Sequence, residues 1–316
     1  MDYKSIESFD KGIIIKKVKN FNLIHIFDCG QCFRWDREEN GNYIGVAFER
    51  VIEVEKRDED VAIYNTTEEE FKSIWENYFD LQRDYKDIKL ELSKDPLLKR
   101  AVNFGDGIRI LRQDPFELTV SFIISANNRI PMIKRAINNI SSKWGKTIEY
   151  KGKIYYAFPR IEDLQGVSLE DIGGCSVGFR AKYIKDSVDK IYNAKVLCEK
   201  IKNENIVDEI EIEIEDTIKY DLDYIKTCDD DTCHVSLQNF SGIGPKVADC
   251  IMLFSMQKYS AFPVDVWVKR AMQHFYLAPD VSLKKIREFG KDRFNELSGF
   301  AQQYLFYYAR ENSIKM

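Results

Sequence analysis

The spacing of apolar residues changes once along the chain, near Thr66, and this change constrains the fold more than any other feature. Before it, residues 11–65 form β-rich segments separated by polar turns, and apolar and charged residues alternate around Ile52 and Val54. Such alternation is typical of an antiparallel sheet with one solvent-facing side. Strands are therefore predicted in the segments GIIIKKV (12–18), FNLIHIF (21–27), QCFRW (31–35) and YIGVAFERVIEVEK (43–56).

After this point the apolar residues recur with helical spacing. Thr67 and Glu70 match a capping box, and Asp114 followed by Pro115 matches a helix start with a first-turn proline. The segment 210–214, in which isoleucine and glutamate alternate, fits either a strand or the end of a charged helix. Further elements are predicted as helices near 131–144, 180–192, 245–257, 265–275, 284–295 and 300–311, and as a small hairpin near 149–157.

Composition excludes several classes of protein. In this 316-residue chain, 44% hydrophobic and 31% charged residues argue against disorder, collagen and coiled coil. No apolar run approaches the ~18 residues of a membrane span, and the N-terminal residues lack the apolar segment of a signal peptide. Seven cysteines, an odd number, argue against a disulfide framework and indicate a reducing cytoplasm.

Charge is distributed unevenly along the chain. The net charge of −5 speaks at first against a nucleic-acid partner. Residues 199–231 alone, however, hold thirteen acids and four lysines, a local charge of −9, so the other residues sum to +4. The sequence therefore contains an acidic insert in a mildly basic chain, and we expect this insert to lie away from a polyanionic partner.

The segment 240–250, FSGIGPKVADC, predicts a tight turn that leads into a helix. Gly242 and Gly244 flank one apolar residue and permit positive φ and close backbone approach, and Pro245 suits a first helical turn. The amide groups at such a helix start can bind an anion, for example a phosphate of DNA. An ordinary helix–loop–helix turn explains the glycine pair equally well.

Side chains able to do chemistry or to contact a base recur at helical spacing later in the chain. Lys246 and Cys250 are four residues apart and share a helix face, as do Gln302 and Phe306. Asp265, in the segment PVDVW, suits a helix N-cap. Taken singly, Lys246 is better explained as a surface lysine and Phe306 as a core aromatic, while capping by Asp265 does not exclude a further role.

The order of these features resembles the helix-hairpin-helix DNA glycosylase superfamily and, within it, the 8-oxoguanine DNA glycosylases of the eukaryotic type. The glycine hairpin, Lys246 and a PVD segment about twenty residues later carry the first resemblance. The agreement runs from about residue 10 to residue 311. Four further segments carry the second resemblance: GQCFRW (30–35), LRQDP (111–115) running on to SANN (125–128), GFRAKY (178–183) and GFAQQYLF (299–306).

Together with the two periodicities, the resemblance implies an α+β fold. An N-terminal antiparallel twisted β-sheet domain is followed by an all-helical domain pair that carries a helix-hairpin-helix motif. The domains are expected at residues 1–112 for the sheet with flanking helices, 113–235 plus 290–316 for the helical domain, and 236–289 for the helix-hairpin-helix catalytic domain.

The resemblance also implies a chemistry, which is base-excision repair by removal of 8-oxoguanine flipped out of duplex DNA. Lys246 falls on the catalytic lysine, whose neutral amine attacks C1′, expels the base and leaves a Schiff base. β-Elimination from that intermediate nicks the strand, which is the associated AP-lyase activity. Asp265 falls on the aspartate that stabilises positive charge developing on the sugar.

Four residues are implied as the base pocket. Phe306 and Cys250 match the positions that sandwich the flipped purine. Gln302 matches the residue that hydrogen-bonds its Watson–Crick edge. Gly30 matches the glycine whose carbonyl accepts the N7–H of the lesion, a proton that guanine lacks.

Further residues are implied as DNA contacts. Asn127 matches the residue that fills the gap left by the flipped base, Phe179 an aromatic wedge in the stack, and Arg180 a residue that contacts the orphan cytosine. The remaining contacts implied by the family are Gly242, Gly244 and Val247 in the hairpin, with Trp267.

Three positions depart from the family pattern. Met132 stands where eukaryotic members carry an arginine that contacts the cytosine. Because methionine cannot donate to the cytosine acceptors, we expect relaxed opposite-base specificity. Trp267 replaces a histidine near the phosphate of the lesion, and Ala309 replaces an aspartate.

No cofactor is expected. No cysteine follows Cys250, which excludes the four-cysteine iron–sulfur cluster of some superfamily members. Zinc would require the C-x-x-C at residues 29–32 to meet the loose group at residues 228–234, so small core residues are the better explanation. A monovalent cation fits the resemblance without any side-chain ligand, and its expected hairpin carbonyls are those of Gln238, Phe240 and Ile243.

Two alternatives stay open, a helix-hairpin-helix glycosylase for another lesion and a non-catalytic DNA-binding module. Gly30, Gln302 and Phe306 favour an oxidised purine, and Lys246 with Asp265 argues against a module that only binds the backbone. The expected partner is double-stranded DNA containing 8-oxoguanine. We expect a monomer that does not contact a membrane and acts in the cytoplasm, at the nucleoid if the source is bacterial.

Overall fold

The computed structural model describes residues 1–204, 216–277 and 281–313. It divides into two compact units: the sheet unit, Met1–Gln113 with Leu253–Met316, and the hairpin unit, Asp114–Met252. The expected division into three domains stays a prediction. Within the described ranges, no helix combines the length and the apolar character that a membrane crossing requires.

The predicted antiparallel sheet is confirmed. It has six strands in the order β1-β2-β6-β5-β4-β3, and every neighbouring pair is antiparallel. Ile52 and Val54 are fully buried on β5, but the solvent-facing side predicted at this point is not observed, because Glu53 between them is only 2% exposed and accepts a hydrogen bond from Asn42 at 2.7 Å. The strands are β1 (Ser5–Phe9), β2 (Gly12–Lys16), β3 (Trp35–Arg37), β4 (Tyr43–Ala47), β5 (Arg50–Arg57) and β6 (Asp60–Tyr64).

The strand predicted over residues 21–27 is wrong, because Leu23–Phe27 is a helix. The side chain of Asn22 accepts the His25 N–H at 3.2 Å and caps the first turn. The buried residues are Leu23, Ile26 and Phe27, a spacing of three and four that suits one helix face. The strand predicted over residues 31–35 is also misplaced, since β3 begins only at Trp35 and residues 28–34 are irregular.

Trp35 organises the core of the sheet unit. Its ring stacks on Phe27 with centroids 4.1 Å apart, and its Nε1–H donates to the Tyr78 hydroxyl at 2.8 Å. Gly45 lies opposite on β4, where a Cβ atom would come within 2.2 Å of the indole ring. The glycine therefore leaves the space that this tryptophan fills.

Arg109 is a fully buried cation that the sequence motifs did not predict. Its guanidinium donates to the Asp2 carboxylate at 2.8 Å and to the Phe79 carbonyl at 2.7 Å, and it also contacts the Asp80 carbonyl. A buried arginine is tolerated only when its donors are paired. Arg109 thus joins the start of the chain to the segment around residue 80.

The predicted capping box of the sheet unit is confirmed at Thr67 and Glu70. Asp265 is confirmed as a helix N-cap as well. Besides Leu23–Phe27, the described helices of this unit are Glu68–Glu70, continued by a π-helical turn Phe71–Trp75 and by Glu76–Tyr78, then Tyr85–Leu92, Pro96–Phe104, Val266–Phe275, Leu283–Phe294, a 3₁₀ turn Asn295–Leu297 and Ser298–Glu311.

The hairpin unit begins as predicted, with the Asp114 side chain accepting the Glu117 N–H at 2.8 Å. The predicted small β-hairpin is present as β7 (Thr147–Tyr150) and β8 (Lys153–Tyr156). The segment 210–214 lies outside the described residues. The helices are Pro115–Ser125, Ile130–Trp144, Ile161–Leu164, Leu169–Ile172, Ala181–Glu204, Leu222–Thr227, Asp230–Leu237 and Pro245–Ser255, with a π-helical turn Gly173–Val177 and a 3₁₀ turn Gly178–Arg180.

Candidate active site

The predicted hairpin joins the Asp230–Leu237 helix to the Pro245–Ser255 helix. Gly242 has a φ of +84°, and a Cβ atom there would lie 2.7 Å from the ring of Tyr183. Both features require glycine. At Gly244, by contrast, a Cβ atom would meet no described neighbouring atom within 4 Å. The fold therefore explains Gly242, whereas Gly244 leaves the backbone open to an external ligand.

The first turn of the Pro245–Ser255 helix carries the predicted residues Lys246 and Val247. The Val247 side chain is buried, so a contact of this residue with DNA would have to come from its backbone. First-turn N–H groups have no partner within their own helix and favour an anion such as phosphate. The hairpin thus offers backbone donors rather than the Val247 side chain to an anionic ligand.

Lys246 is half-buried, and its Nζ lies 5.4 Å from the centre of the Phe122 ring. Phe122 lies in the Pro115–Ser125 helix, so the amine faces an aromatic ring of the same unit. Cys250, one turn later, is also buried. The structure therefore confirms that these two predicted residues share a helix, and it places the amine in a partly apolar environment.

His234, the last residue of the group at residues 228–234 that was weighed as a zinc site, contacts this helix. His234 Nε2 lies 3.2 Å from the Pro245 carbonyl oxygen and 3.5 Å from the buried Asp249 carboxylate, and its Nδ1 lies 3.0 Å from Gln238 Nε2. These contacts connect the two helices of the hairpin at the turn that carries Lys246. This contact could have been anticipated from the sequence, because His234 lies in the helix before the glycine hairpin, twelve residues ahead of Lys246.

Asp265 and Trp267 lie at the start of the Val266–Phe275 helix in the sheet unit. The Asp265 carboxylate accepts the N–H groups of Trp267 at 3.0 Å and Val268 at 2.8 Å. These bonds fix the carboxylate in one orientation. The Arg270 guanidinium lies 5.0 Å from the centre of the Trp267 ring. Arg270, which no sequence motif indicated, therefore supplies a cation next to the indole that replaces the family histidine.

Three of the four predicted pocket residues belong to the sheet unit. Gly30 has a φ of +80°, and a Cβ atom there would lie 3.1 Å from Cε1 of Phe306. Gln302, one turn before Phe306, is 4% exposed, and its Oε1 has no hydrogen-bond partner within the described part of the chain. A buried acceptor without a partner is costly unless a ligand donates to it. The structure thus places Gly30 against Phe306 and leaves the Gln302 acceptor, one turn before that ring, without a partner among the described residues.

The cysteines beside Gly30 are core thiols. Cys29 donates to the Ile26 carbonyl at 3.2 Å, and Cys32 donates to the Phe27 carbonyl at 3.5 Å. Burial raises the pKa of Cys29 to about 11, although Gln303 and Arg310 partly oppose this effect. Cys29 is therefore a neutral thiol at physiological pH.

The residues predicted to fill the gap in the DNA, to wedge into the stack and to contact the orphan cytosine lie together in the hairpin unit. Asn127 is exposed and has a φ of +51°. The Arg180 guanidinium donates to the carbonyls of Ala126 at 2.5 Å and Asn127 at 3.1 Å, and it is only 8% exposed. Phe179 is 61% exposed and lies under the same guanidinium at 4.5 Å. In this structure Arg180 holds the Asn127 loop, while Met132 is 41% exposed.

An antiparallel sheet followed by a helical unit, with a lysine one residue beyond a Gly-x-Gly-Pro turn between two helices, defines a helix-hairpin-helix DNA glycosylase. Residues 120–296 match the family model described as HhH-GPD superfamily base excision DNA repair protein. Residues 13–118 match the model described as 8-oxoguanine DNA glycosylase, N-terminal domain. The chain therefore belongs to the 8-oxoguanine DNA glycosylases of the helix-hairpin-helix superfamily.

Individual relatives agree with this assignment. A solved structure of the 8-oxoguanine glycosylase/lyase of Clostridium acetobutylicum, in complex with double-stranded DNA containing cytosine opposite 8-oxoguanine, is 61% identical. The match covers 99% of this chain and 100% of that chain with a TM-score of 0.90. The probable N-glycosylase/DNA lyase of Methanothermobacter thermautotrophicus is 31% identical over 76% of this chain and 75% of its own length. An Arabidopsis thaliana N-glycosylase/DNA lyase is 28% identical over 89% of this chain and 75% of its own length.

Proposed function

We propose that this chain removes 8-oxoguanine from duplex DNA and then cleaves the strand as an AP lyase. The observation that carries the proposal is the buried Gln302 amide oxygen, which has no hydrogen-bond partner among the described residues and lies one helical turn before Phe306, the ring beside Gly30. This group of residues suits a flipped oxidised purine, which presents donors at its Watson–Crick edge and at N7. The names of the relatives support this function over the two alternatives, another lesion or a non-catalytic module.

In the proposed reaction, the Lys246 amine in its neutral form attacks C1′ of the damaged nucleotide. The C1′–N9 bond breaks, the base leaves with its electron pair, and protonation completes it. Asp265 stabilises the positive charge on the sugar as this bond breaks. The sugar ring then opens to a Schiff base on Lys246, and loss of a proton from C2′ expels the 3′-phosphate by β-elimination.

The opposite base is expected to be selected only weakly. Arg180 donates to the carbonyls of Ala126 and Asn127, and Met132 has no polar hydrogen to offer. Since one good side-chain contact to a base is worth about 1–3 kcal/mol, the missing donor lowers the preference for cytosine. We expect a preference for cytosine over adenine below about a hundredfold. A larger preference in single-turnover excision would contradict this expectation.

Three further properties are proposed from indirect support. All seven cysteines lie within the described residues and none of them forms a disulfide bond, which suits a reducing cytoplasm. The family resemblance supports a monomer without a cofactor, except for a monovalent cation at the hairpin. Its ligands would be the carbonyls of Gln238, Phe240 and Ile243, of which the Phe240 carbonyl accepts the Ile243 N–H at 3.2 Å.

The proposed function is tested by borohydride trapping on a duplex with one 8-oxoguanine opposite cytosine. We expect a covalent protein–DNA adduct with the native chain, none with Lys246→Gln, and none with undamaged duplex. Lys195→Gln, which removes an exposed lysine of the same unit paired with Glu162, should trap normally. Absence of any adduct or lesion preference with the native chain would overturn the function. An undiminished adduct with Lys246→Gln would overturn the nucleophile alone.

A further inference from the structure

The loop at residues 28–31 presents one unpartnered carbonyl between held neighbours. The Asp28 carbonyl accepts from Arg310 at 2.5 Å, the Cys29 carbonyl accepts from Gln303 at 2.9 Å, and the Gln31 carbonyl accepts from Gln113 at 2.8 Å. Among the described residues, no donor reaches the Gly30 carbonyl. The three donors therefore hold the loop and leave free the single group that the proposed function assigns to the N7–H of the lesion.

These side-chain hydrogen bonds hold the loop in place of the backbone hydrogen bonds of a helix or strand. Residues 28–34 have no regular secondary structure, and Gly30 itself has a left-handed φ of +80°. The Gln31 side chain adds an internal anchor, since its Nε2 donates to the Ile26 carbonyl at 2.9 Å and its Oε1 accepts the Leu111 N–H at 2.9 Å. A polar group discriminates between ligands only when its position is fixed before binding.

Arg310 links this loop to the stacking ring. Its guanidinium carbon lies 5.2 Å from the centre of the Phe306 ring, and its Nη1 would lie 3.4 Å from a Cβ atom on Gly30. One side chain thus contacts both the loop with the accepting carbonyl and the ring that is proposed to stack on the base. Because Gln303 is adjacent to Gln302 on the same helix, the loop and the base-edge amide share one rigid support.

We infer that Arg310 and Gln303 are positioning residues that determine the preference of this protein for 8-oxoguanine over guanine, by fixing the Gly30 carbonyl. They act through the loop and need not touch the base. The inference rests on the proposed function, because only a lesion that carries a proton on N7 can donate to this carbonyl. Removing either donor should lower the preference for 8-oxoguanine over guanine without lowering the affinity for the DNA backbone.

The test compares binding of three duplexes in a Lys246→Gln background, which prevents turnover. The duplexes carry 8-oxoguanine, guanine or a base-free tetrahydrofuran nucleotide opposite cytosine. For Arg310→Leu and for Gln303→Met, we expect the ratio of affinities for 8-oxoguanine and guanine to fall about tenfold. Affinity for the base-free duplex should stay within about twofold, since that probe lacks the base.

Two control variants separate positioning from folding. Arg310→Lys retains a donor for the Asp28 carbonyl, and we expect it to keep most of the discrimination. Arg293→Leu removes another arginine of the same unit, paired with Asp95, and should leave the ratio unchanged. An unchanged ratio in both Arg310→Leu and Gln303→Met would overturn the inference, as would an equal loss on all three duplexes. Absence of any preference in the parent would overturn the proposed function together with the inference.

Discussion

Two irregular loops of this protein are expected to contact damaged DNA, and they are built in opposite ways. In the loop at residues 28–31, three side chains hold the carbonyls of Asp28, Cys29 and Gln31, and no donor among the described residues reaches that of Gly30. The loop at residues 126–128 exposes Asn127, and its first two carbonyls are held by Arg180. The difference fits two tasks: recognising one proton demands a fixed acceptor, whereas filling a gap demands an accessible side chain.

Gly30→Ala should break the held loop and have the largest effect. The residue has a φ of +80°, and its new Cβ would crowd Phe306 at 3.1 Å. Because a misplacement of about 1 Å in an active site can cost about a hundredfold in rate, we expect excision of 8-oxoguanine to fall by about that factor. Single-turnover excision measures it.

Gly152→Ala is the matched control for backbone strain. This glycine also has a positive φ, +71°, but a Cβ atom there would meet no described neighbouring atom within 4 Å. It lies in the turn between β7 and β8, so we expect a loss of about 1 kcal/mol in stability and unchanged excision. Equal losses of excision in the two variants would show that strain, not the position of the carbonyl, matters.

Arg180→Leu should affect the exposed loop alone. The change removes the donors to the Ala126 and Asn127 carbonyls. We expect affinity for a base-free duplex to fall about tenfold, while the ratio of affinities for 8-oxoguanine and guanine stays constant. Arg160→Leu, at an exposed arginine of the same unit, should change neither quantity. A fall in that ratio with Arg180→Leu would contradict the separation of the two loops.

Met132→Arg should sharpen the selection of the opposite base. Met132 is 41% exposed in the first turn of the Ile130–Trp144 helix, so a longer cationic side chain can be accommodated. An added donor to cytosine is worth about 1–3 kcal/mol, and we expect the preference for cytosine over adenine to rise about tenfold. Excision from the two duplexes measures this preference. An unchanged preference would mean that Met132 does not limit selectivity.

The smallest effect is expected for a change at Asp95, whose carboxylate pairs with Arg293 outside both loops. Burial alone would raise the pKa of Asp95, but hydrogen bonds from Arg293, Leu98 and Tyr276 outweigh it and lower the pKa. The carboxylate therefore stabilises the folded state above about pH 4. This stabilisation is lost as the pH falls through the lowered pKa of the folded state. Asp95→Asn should cost about 1 kcal/mol at pH 7, with unchanged excision.

Urea unfolding of the native chain and Asp95→Asn at pH 7 and at pH 3 measures this dependence. The stability difference should shrink at the lower pH. Asp84→Asn, at a helix cap of the same unit that accepts the Lys86 N–H, is the matched control for the loss of a capping carboxylate. If the stability difference between the native chain and Asp95→Asn is the same at pH 3 as at pH 7, the charge of Asp95 does not account for it.

Local patterns predicted much of the fold and of the site. The strands around Ile52, the capping box at Thr67 and the cap at Asp265 all depend on neighbours within a few residues. The helix at Leu23–Phe27 was missed because a short apolar segment fits a strand and a helix equally well. Its type was decided by the Asn22 cap and by burial of one helix face.

The sequence by itself determined the order of sheet and helices, the hairpin before Lys246 and the residues that resemble a base pocket. Periodicity, capping and turn chemistry act between near neighbours, so they can be recognised along the chain. Only the tertiary structure decided how the Gly30 carbonyl is positioned, because the side chains that hold its neighbours are distant in sequence. Gln303, which donates to Cys29, lies 274 residues away from it, and Arg310, which donates to Asp28, lies 282 residues away. The buried Arg109 belongs with them, since its partner Asp2 lies 107 residues away and no local pattern encodes such a contact.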